Sequence, residues 1–574
     1  MVTASDIFNV ISRYYSSEEL LWFVSSISRF HRIQGCKGLE EAAEFIYKNL
    51  LDLKNFKVRV QQFSYSISYG LHNDIVGWEV RDGFTELSQQ NNVLSSFLEA
   101  KTAVVAHSPG GDVEADIVYV GNGLDLEKYK GAEDKIVLSY GSPYLVYKIG
   151  CKLGVGGFIF FRRNIHEKAI PYVGLFLSKA EVKDCKAPAT TISREDALKI
   201  IDRLEKGDKV KARIYVEASY RADAYAPVIE ASLGDGESEI HMYAHMCHPG
   251  GTVNDNVSGV AALLELMKAI DRAIDKGGIS LPTKKRLVFV LFPEYYGSLP
   301  YLMDKTGRDI QIDFSVNLDM VGEKQWETNS TLYFIRPPQI LSKPFYEAVL
   351  LKLLMYALSK HRTFSTVYRT TSYRFDVVPY DSGSDHDIYL QFAVPSVMLN
   401  QWPDIFYHSN MDTIDKFDPE IAKDIAIGVG AGAYILATEV FNEKTARSIS
   451  DVYVDFVKSY SSLKQLDFSE EIKESIGENM VYSYIAPKGV ISVRLMVARL
   501  GLEKSIEFIK KFLEDTFMNH LATRYIPLLI MLKPYSVKEI VKQVAADYGR
   551  NLNTKDITYV LSYLELLGIV SAKG

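Results

Sequence analysis

Tyr243-Ala-His-Met-Cys-His-Pro-Gly, followed from Asn254 by Asp-Asn-Val-Ser-Gly-Val-Ala-Ala-Leu-Leu-Glu, is the stretch that decides how this chain folds. The apolar run Glu239–Ala244 predicts a strand, and apolar residues at helical spacing predict a helix over Ser258–Ile274. His245 therefore stands directly after a strand, and Asp255 just before a helix. In open α/β sheets ligands collect at the carboxyl ends of strands, so both side chains face the expected site. Imidazole and carboxylate are a ligand set suited to Zn²⁺ at a catalytic position. One such histidine is more often a core or surface residue, so the reading depends on what else reaches the same place.

Three more candidates do. Glu294 follows the apolar run Arg286–Phe292, Asp319 ends Phe314–Leu318, and His408 comes after Ser396–Leu399. A carboxylate buried without a partner is costly, by several kcal/mol. Four acids and imidazoles at strand ends in one unit suggest that the partner is a shared cation.

Outward from this core, strand-like and helix-like segments alternate from about Ala222 to Phe441, with helices expected at Lys343–Leu358 and Ile421–Phe441. That alternation predicts an α/β layer architecture. The first stretch reads as helical at Asp6–Tyr15, Ser17–Ile27 and Leu39–Leu51. Between about 100 and 216 the texture changes to short β-rich runs (Thr102–Ala106, Ala115–Val120, Lys135–Ser139, Gly157–Phe161) around a helix at Tyr144–Leu153. After the acidic Ser469–Asn479 comes a helical tail, whose two helices (Ser536–Tyr548, Asn553–Leu566) and short apolar ending (Ile569–Ser571) fit a winged helix-turn-helix. The expected division is 1–98 and 219–445 for the main unit, 99–218 for the insert, 446–532 for a helical linker region and 533–574 for the winged helix.

Composition narrows the classes. With 47% hydrophobic and 24% charged residues, the chain is neither disordered as a whole nor collagen-like. The longest apolar runs fall short of the roughly 20 residues of a spanning helix, so no membrane partner is expected. A net charge of -7 and a tail with only a slight basic excess argue against a nucleic-acid partner. Four cysteines, none in a C-x-x-C pair, are too few for a disulfide scaffold. Met1–Leu21 lacks the basic-then-apolar pattern of a signal peptide. Together these favour a reducing, cytoplasmic setting.

The same residues resemble the zinc aminopeptidase family of co-catalytic metallopeptidases, peptidase family 28, which includes glutamate carboxypeptidase II. The likeness spans most of 1–441. Arg32-Ile-Gln-Gly-Cys-Lys-Gly-Leu-Glu-Glu-Ala-Ala-Glu-Phe-Ile is similar to the family's N-terminal segment, and Lys135-Ile-Val-Leu with Lys148–Phe161 to its protease-associated insert. The Asp-Asn-x-Ser-Gly-Val-Ala and Leu-Asp-Met-x-Gly stretches, and the distal Tyr-His-x-x-x-Asp-Thr-Ile-Asp, carry it further. The resemblance implies a phosphorylase/hydrolase-like, three-layer α/β zinc exopeptidase domain with an inserted β-rich protease-associated lobe and a C-terminal winged helix.

It also implies roles. His245 and Asp319 would hold one metal, His408 a second, and Asp255 would bridge them, with Zn²⁺ as cofactor in one or two copies and Co²⁺ or Mn²⁺ as competitors. The family's two adjacent glutamates are here Glu294 and Tyr295, so Glu294 is either the general base or a ligand; the geometry of the strand end favours the base. Cys247 replaces the family's aspartate two positions after the first histidine, and His248 is left as an extra ligand or an orienter of His245. Asp385 and His386, in Gly383-Ser-Asp-His-Asp, are candidates for the oxyanion or the substrate amine. Cys247 beside a histidine is weak evidence for a nucleophile. His107 and His166, in the insert, are expected to be structural. The expected activity is aminopeptidase hydrolysis of short peptides, with a homo-oligomer left open. Two rivals are a regulator of weakened turnover, binding metal or peptide and using the winged helix on DNA or protein, and a related zinc amide hydrolase or cyclase.

Overall fold

Strands that read as continuous apolar runs need cover on both faces, which open parallel sheets obtain from helices. Four such strands lie side by side in the order Lys285–Phe292, Ser238–His245, Ile312–Leu318 and Ser396–Trp402, all parallel. Their carboxyl ends therefore lie along one edge, where His245 ends its strand and the loops carrying Glu294 and Asp319 leave. Tyr225–Leu233 and Phe56–Ser64 extend the sheet by antiparallel pairing on one side; on the other, Thr331–Ile335 pairs antiparallel to Ser396–Trp402 and Phe375–Val378 parallel to Thr331–Ile335, making eight strands. The computed structural model describes residues 4–89, 91–360, 371–438, 442–463, 480–512, 515–550 and 552–573.

Successive strand residues point to opposite faces, and the two cores divide accordingly. Ile240, Met242 and Ala244 join the helices Gly259–Asp275, Pro344–Leu358 and Pro419–Thr438 on one side. Tyr243, Val288 and Val290 meet Leu299, Tyr301, Ile388 and Tyr389 of Ser298–Gly307 and His386–Gln391 on the other. Each fully buried aliphatic side chain of this kind contributes about 1.5–3 kcal/mol. Pro419–Thr438 is long and apolar enough to cross a bilayer, but 89% of its apolar window is buried inside the protein, as an all-round apolar core helix should be.

A second sheet of seven strands forms the β-rich lobe, running from Gly77–Leu87 to Lys211–Arg221 along the chain. It takes in Gly77–Leu87 and Asn92–Ser96, upstream of the expected start at 99. The expected strand Thr102–Ala106 is a loop with isolated bridges at Val104 and Ala106. Cys151 and Cys185 are joined in a disulfide, while Cys36 and Cys247 are free and buried. Two of the four thiols are thus paired, which the 34-residue separation in sequence did not signal.

In the C-terminal part, Val481–Tyr484 is the middle strand between Tyr535–Ser536 and Val570–Lys573, so one strand of this small sheet comes from the expected linker region. Helix Val537–Tyr548 starts at a Ser536–Glu539 capping box and ends at Gly549 in the left-handed region, φ 66°. Thr554–Leu566 follows. The apolar core of this part includes Tyr380 and Leu390 of the main unit, which places it against the loop that follows Phe375–Val378. Ser469–Asn479 lies outside the described residues.

Candidate metal centre

The turn bearing Asp255 is held from three sides. Asn254–Ser258 forms one π-helical turn before Gly259–Asp275, and its Asp255–Asn256 peptide is cis. Asn256 donates from Nδ2 to the Leu318 carbonyl and accepts from the Met320 amide at Oδ1, tying the turn to the end of the Asp319 strand. A Cβ at Gly259 would come within 2.3 Å of the Leu318 oxygen, so only glycine permits this approach. From the distal motif, Asp412 accepts the amides of Asn254 (2.7 Å) and Asp255 (3.1 Å).

Around Asp255 the ligand-type atoms fall into two groups. Asp255 Oδ1 lies 3.4 Å from His245 Nε2, which lies 3.3 Å from Asp319 Oδ1. Asp255 Oδ2 lies 2.8 Å from His408 Nε2 and 3.4 Å from His248 Nε2, and the two histidine nitrogens are 3.0 Å apart. His245, Asp255 and Asp319 form one metal-competent cluster and His248, Asp255 and His408 a second; Cys247 with His245 and His248 forms a third grouping. His248 Nδ1 donates to the Cys247 carbonyl at 2.7 Å, which leaves Nε2 as a bare lone pair facing the cluster. Burial pushes His248 down to about 3 and, with Arg162 nearby, His408 well below its usual value. Both are neutral imidazoles, the form a metal requires. Asp319 Oδ1 is buried and accepts no hydrogen bond. His245, Asp319, His248 and His408, gathered around the one carboxylate of Asp255, make a donor set suited to a divalent cation such as zinc.

Glu294 lines the same cavity but belongs to neither cluster. Its carboxyl is raised well above the usual range by burial, and further by Asp385, Asp319 and Asp255 against the pull of His245. Cys247 Sγ lies 3.7 Å from His245 Nδ1 and accepts the Glu294 amide at 3.3 Å. Burial raises this thiol, which disfavours its thiolate form.

Asp385 and His386 are both buried and do not line the metal cavity. Asp385 accepts from the Tyr295 amide at 2.7 Å and from Ser298 Oγ, bracing the turn that follows Glu294. Burial lifts its carboxyl to about 7. His386 Nε2 donates to the Asp381 carbonyl at 2.6 Å. Neither is placed to meet an oxyanion directly.

The cavity, about 210 Å³, is walled by Met320, Ile335, Met398 and Tyr407 together with His245, Asp255, Asp319 and His408; His248 lies behind this wall. Tyr407 stacks on His408 at 3.8 Å between ring centres, and burial keeps its phenol protonated. In the sequence, Tyr407 is marked only by its place beside His408 in the distal Tyr-His motif. The lobe reaches the site through Tyr172, whose ring lies 5.1 Å from His408 and 5.3 Å from His248 and whose amide donates to the His408 carbonyl at 2.6 Å. His107 stacks on Trp78 and bonds to the Gln34 carbonyl, and His166 packs on Phe406. Among the described residues, neither joins a metal-competent cluster.

Residues 229–431 match the model of peptidase family M28, and that segment contains every candidate ligand and Glu294. No curated protein matches the chain. Among solved structures, the peptidase M28 precursor of Shewanella amazonensis SB2B is 16% identical, with a TM-score of 0.55 over 76% of this chain and 97% of its own. BSAP, a zinc aminopeptidase from Bacillus subtilis, is 18% identical, with a TM-score of 0.51 over 77% and 96%. A structure from Clostridium acetobutylicum, 14% identical with a TM-score of 0.52, is matched over 99% of this chain and 98% of its own. At such identities the likeness to these structures is one of fold.

Proposed function

We propose that this chain, whose residues 229–431 match the model of peptidase family M28, is a two-zinc aminopeptidase removing N-terminal residues from short peptides. His245 and Asp319 would hold one ion, His248 and His408 the other, and Asp255 would bridge them. The observation that carries this reading is the pair of neutral histidine Nε2 atoms, 3.0 Å apart, directed at one oxygen of Asp255 while its other oxygen faces His245. His248 Nε2, 3.4 Å from Asp255 Oδ2, offers a ligand in place of the second glutamate that Tyr295 replaces.

Zinc bound there supplies Lewis acidity, polarising the scissile carbonyl and lowering the pKa of water toward about 7. The remaining work falls to side chains of this chain. Glu294, as carboxylate, takes the proton of the attacking water and passes it to the leaving amine, a contribution of about 10²–10⁴-fold. Tyr407, a neutral phenol on the cavity wall, donates a hydrogen bond to the oxygen on which charge develops. Cys247 and Asp385 hold the Glu294 turn, at the amides of Glu294 and Tyr295 respectively. The small apolar wall of Met320, Ile335 and Met398 suits one substrate side chain, which supports removal of single residues.

The test is metal content together with a substrate panel. Two zinc ions per chain, hydrolysis of aminoacyl anilides and short peptides, and no hydrolysis of N-acetylated peptides are expected. Cleavage of blocked peptides at equal rate would refute the aminopeptidase reading, and a metal-free, inactive protein would refute the enzyme.

A further inference from the structure

The metal cavity does not end at its own wall. Ile335, Asp381, Asn400 and Trp402 line it and also line a larger chamber of about 680 Å³. That volume lies within the roughly 300–1,000 Å³ of ordinary ligand pockets. The far wall of the chamber comes from the C-terminal part: Thr516, Phe517, His520, Tyr548 and Arg550.

This wall is fastened to the loop that edges the metal cavity. His520 Nδ1 meets Ser382 Oγ at 2.8 Å, its Nε2 meets the Tyr548 hydroxyl at 2.8 Å, and that hydroxyl lies 3.0 Å from the Tyr380 carbonyl. Burial lowers His520 to about 4, so it is a neutral link. Ser382 itself lines the metal cavity. The C-terminal part is thereby seated against the mouth of the site.

The chamber has two electrical ends. Asp381 stands at the junction, lining both spaces. Arg550 lines only the outer chamber, its guanidinium lying over the Phe517 ring at 4.3 Å. Among the described residues Arg550 forms no ion pair, so its planar donors are available to a ligand. Asp376, the other acid of the chamber, is engaged by the Tyr460 hydroxyl at 2.6 Å. A guanidinium held over an aromatic ring keeps a planar fork of donors suited to two-point recognition of a carboxylate.

We propose that Arg550 is a specificity-determining residue that receives the free C-terminal carboxylate of short peptides whose N-terminal residue lies in the metal cavity. The inference rests on the aminopeptidase reading and extends it, making the C-terminal part a substrate wall that favours short peptides with free carboxyl ends. A peptide bound this way spans the chamber with its polarity matched, carboxylate toward Arg550 and amine toward the acidic metal end.

The experiment compares tri- and tetrapeptides with their C-terminal amides, and an aminoacyl anilide, in the full-length protein and in Arg550→Ala and Arg550→Lys. Wild-type protein should show a KM about tenfold lower for the free acids than for the amides, the scale of one hydrogen bond to a charged group. Arg550→Ala should raise KM for the acids to the level of the amides, leave kcat and anilide hydrolysis unchanged, and Arg550→Lys should fall between. Equal KM values for acid and amide in the wild type would overturn the subsite while leaving the aminopeptidase reading intact. Absence of anilide and peptide turnover would strike the enzyme reading instead; calorimetric binding of the same acid and amide pairs would then decide the subsite, which falls if the two bind alike.

Discussion

The two halves of the centre are built differently. His245 and Asp319 sit at the ends of adjacent parallel strands, so the sheet itself sets their separation. His248 and His408 both sit on loops, at φ 119° and 51°, and both pack against Tyr172 from the lobe. A non-glycine residue at positive φ is costly and persists only where its surroundings enforce it. The sheet-borne half should therefore bind its ion whatever the lobe does, and the loop-borne half should answer to the lobe.

Asp255→Asn tests what the halves share. It should remove both ions and abolish turnover, with zinc per chain falling toward zero; retention of a full ion would show that Asp255 does not bridge. Glu294→Gln should keep both ions and lose about 10²–10⁴-fold in kcat, because the base acts on water without holding metal. A loss of zinc in that variant would make Glu294 a ligand and displace His248 from the role.

His248→Ala addresses the comparison itself. The protein should keep one tightly held zinc and bind the second about 10–100-fold more weakly or not at all, read by equilibrium dialysis, whereas His245→Ala should weaken the other ion. Unchanged stoichiometry and affinity in His248→Ala would end the two-half description. Tyr172→Ala, which removes only packing behind the loop histidines, should weaken the second ion by about tenfold and leave the first unchanged.

Acid pH should act through Glu294. Burial raises its carboxyl, so the protonated, inactive form persists to higher pH than for an ordinary glutamate. Activity should rise with pH as that proton leaves, and bound cations should draw the rise toward lower pH. The residual activity of Glu294→Gln should lack that limb in a kcat/KM profile; an identical limb in the variant would assign it to another group.

Much of this was legible in the chain. Continuous apolar runs announced the parallel strands, and an acid or imidazole at or just past the end of three of them marked the edge where His245, Glu294 and Asp319 gather. A chain that buries a strand on both faces has little choice about where its next polar residue emerges, and that makes strand-end chemistry readable one residue at a time. The lobe and the C-terminal helices were also visible as changes of texture, although their edges were not. Gly77–Leu87 enters the lobe and Val481–Tyr484 joins the distal sheet because strand pairing is settled by partners far away in sequence.

What the tertiary structure alone decided is the direction of side chains on loops. Cys247 and His248 are neighbours, yet the thiol turns behind His245 while the imidazole turns to His408, 160 residues away. Asp385 and His386 are motif residues by sequence, but burial turns them into braces. Arg550 carried no signal at all until the C-terminal part was seen against the chamber. Spacing fixes direction only where a regular backbone imposes a period. On loops the direction follows from packing, and packing is a property of the whole fold.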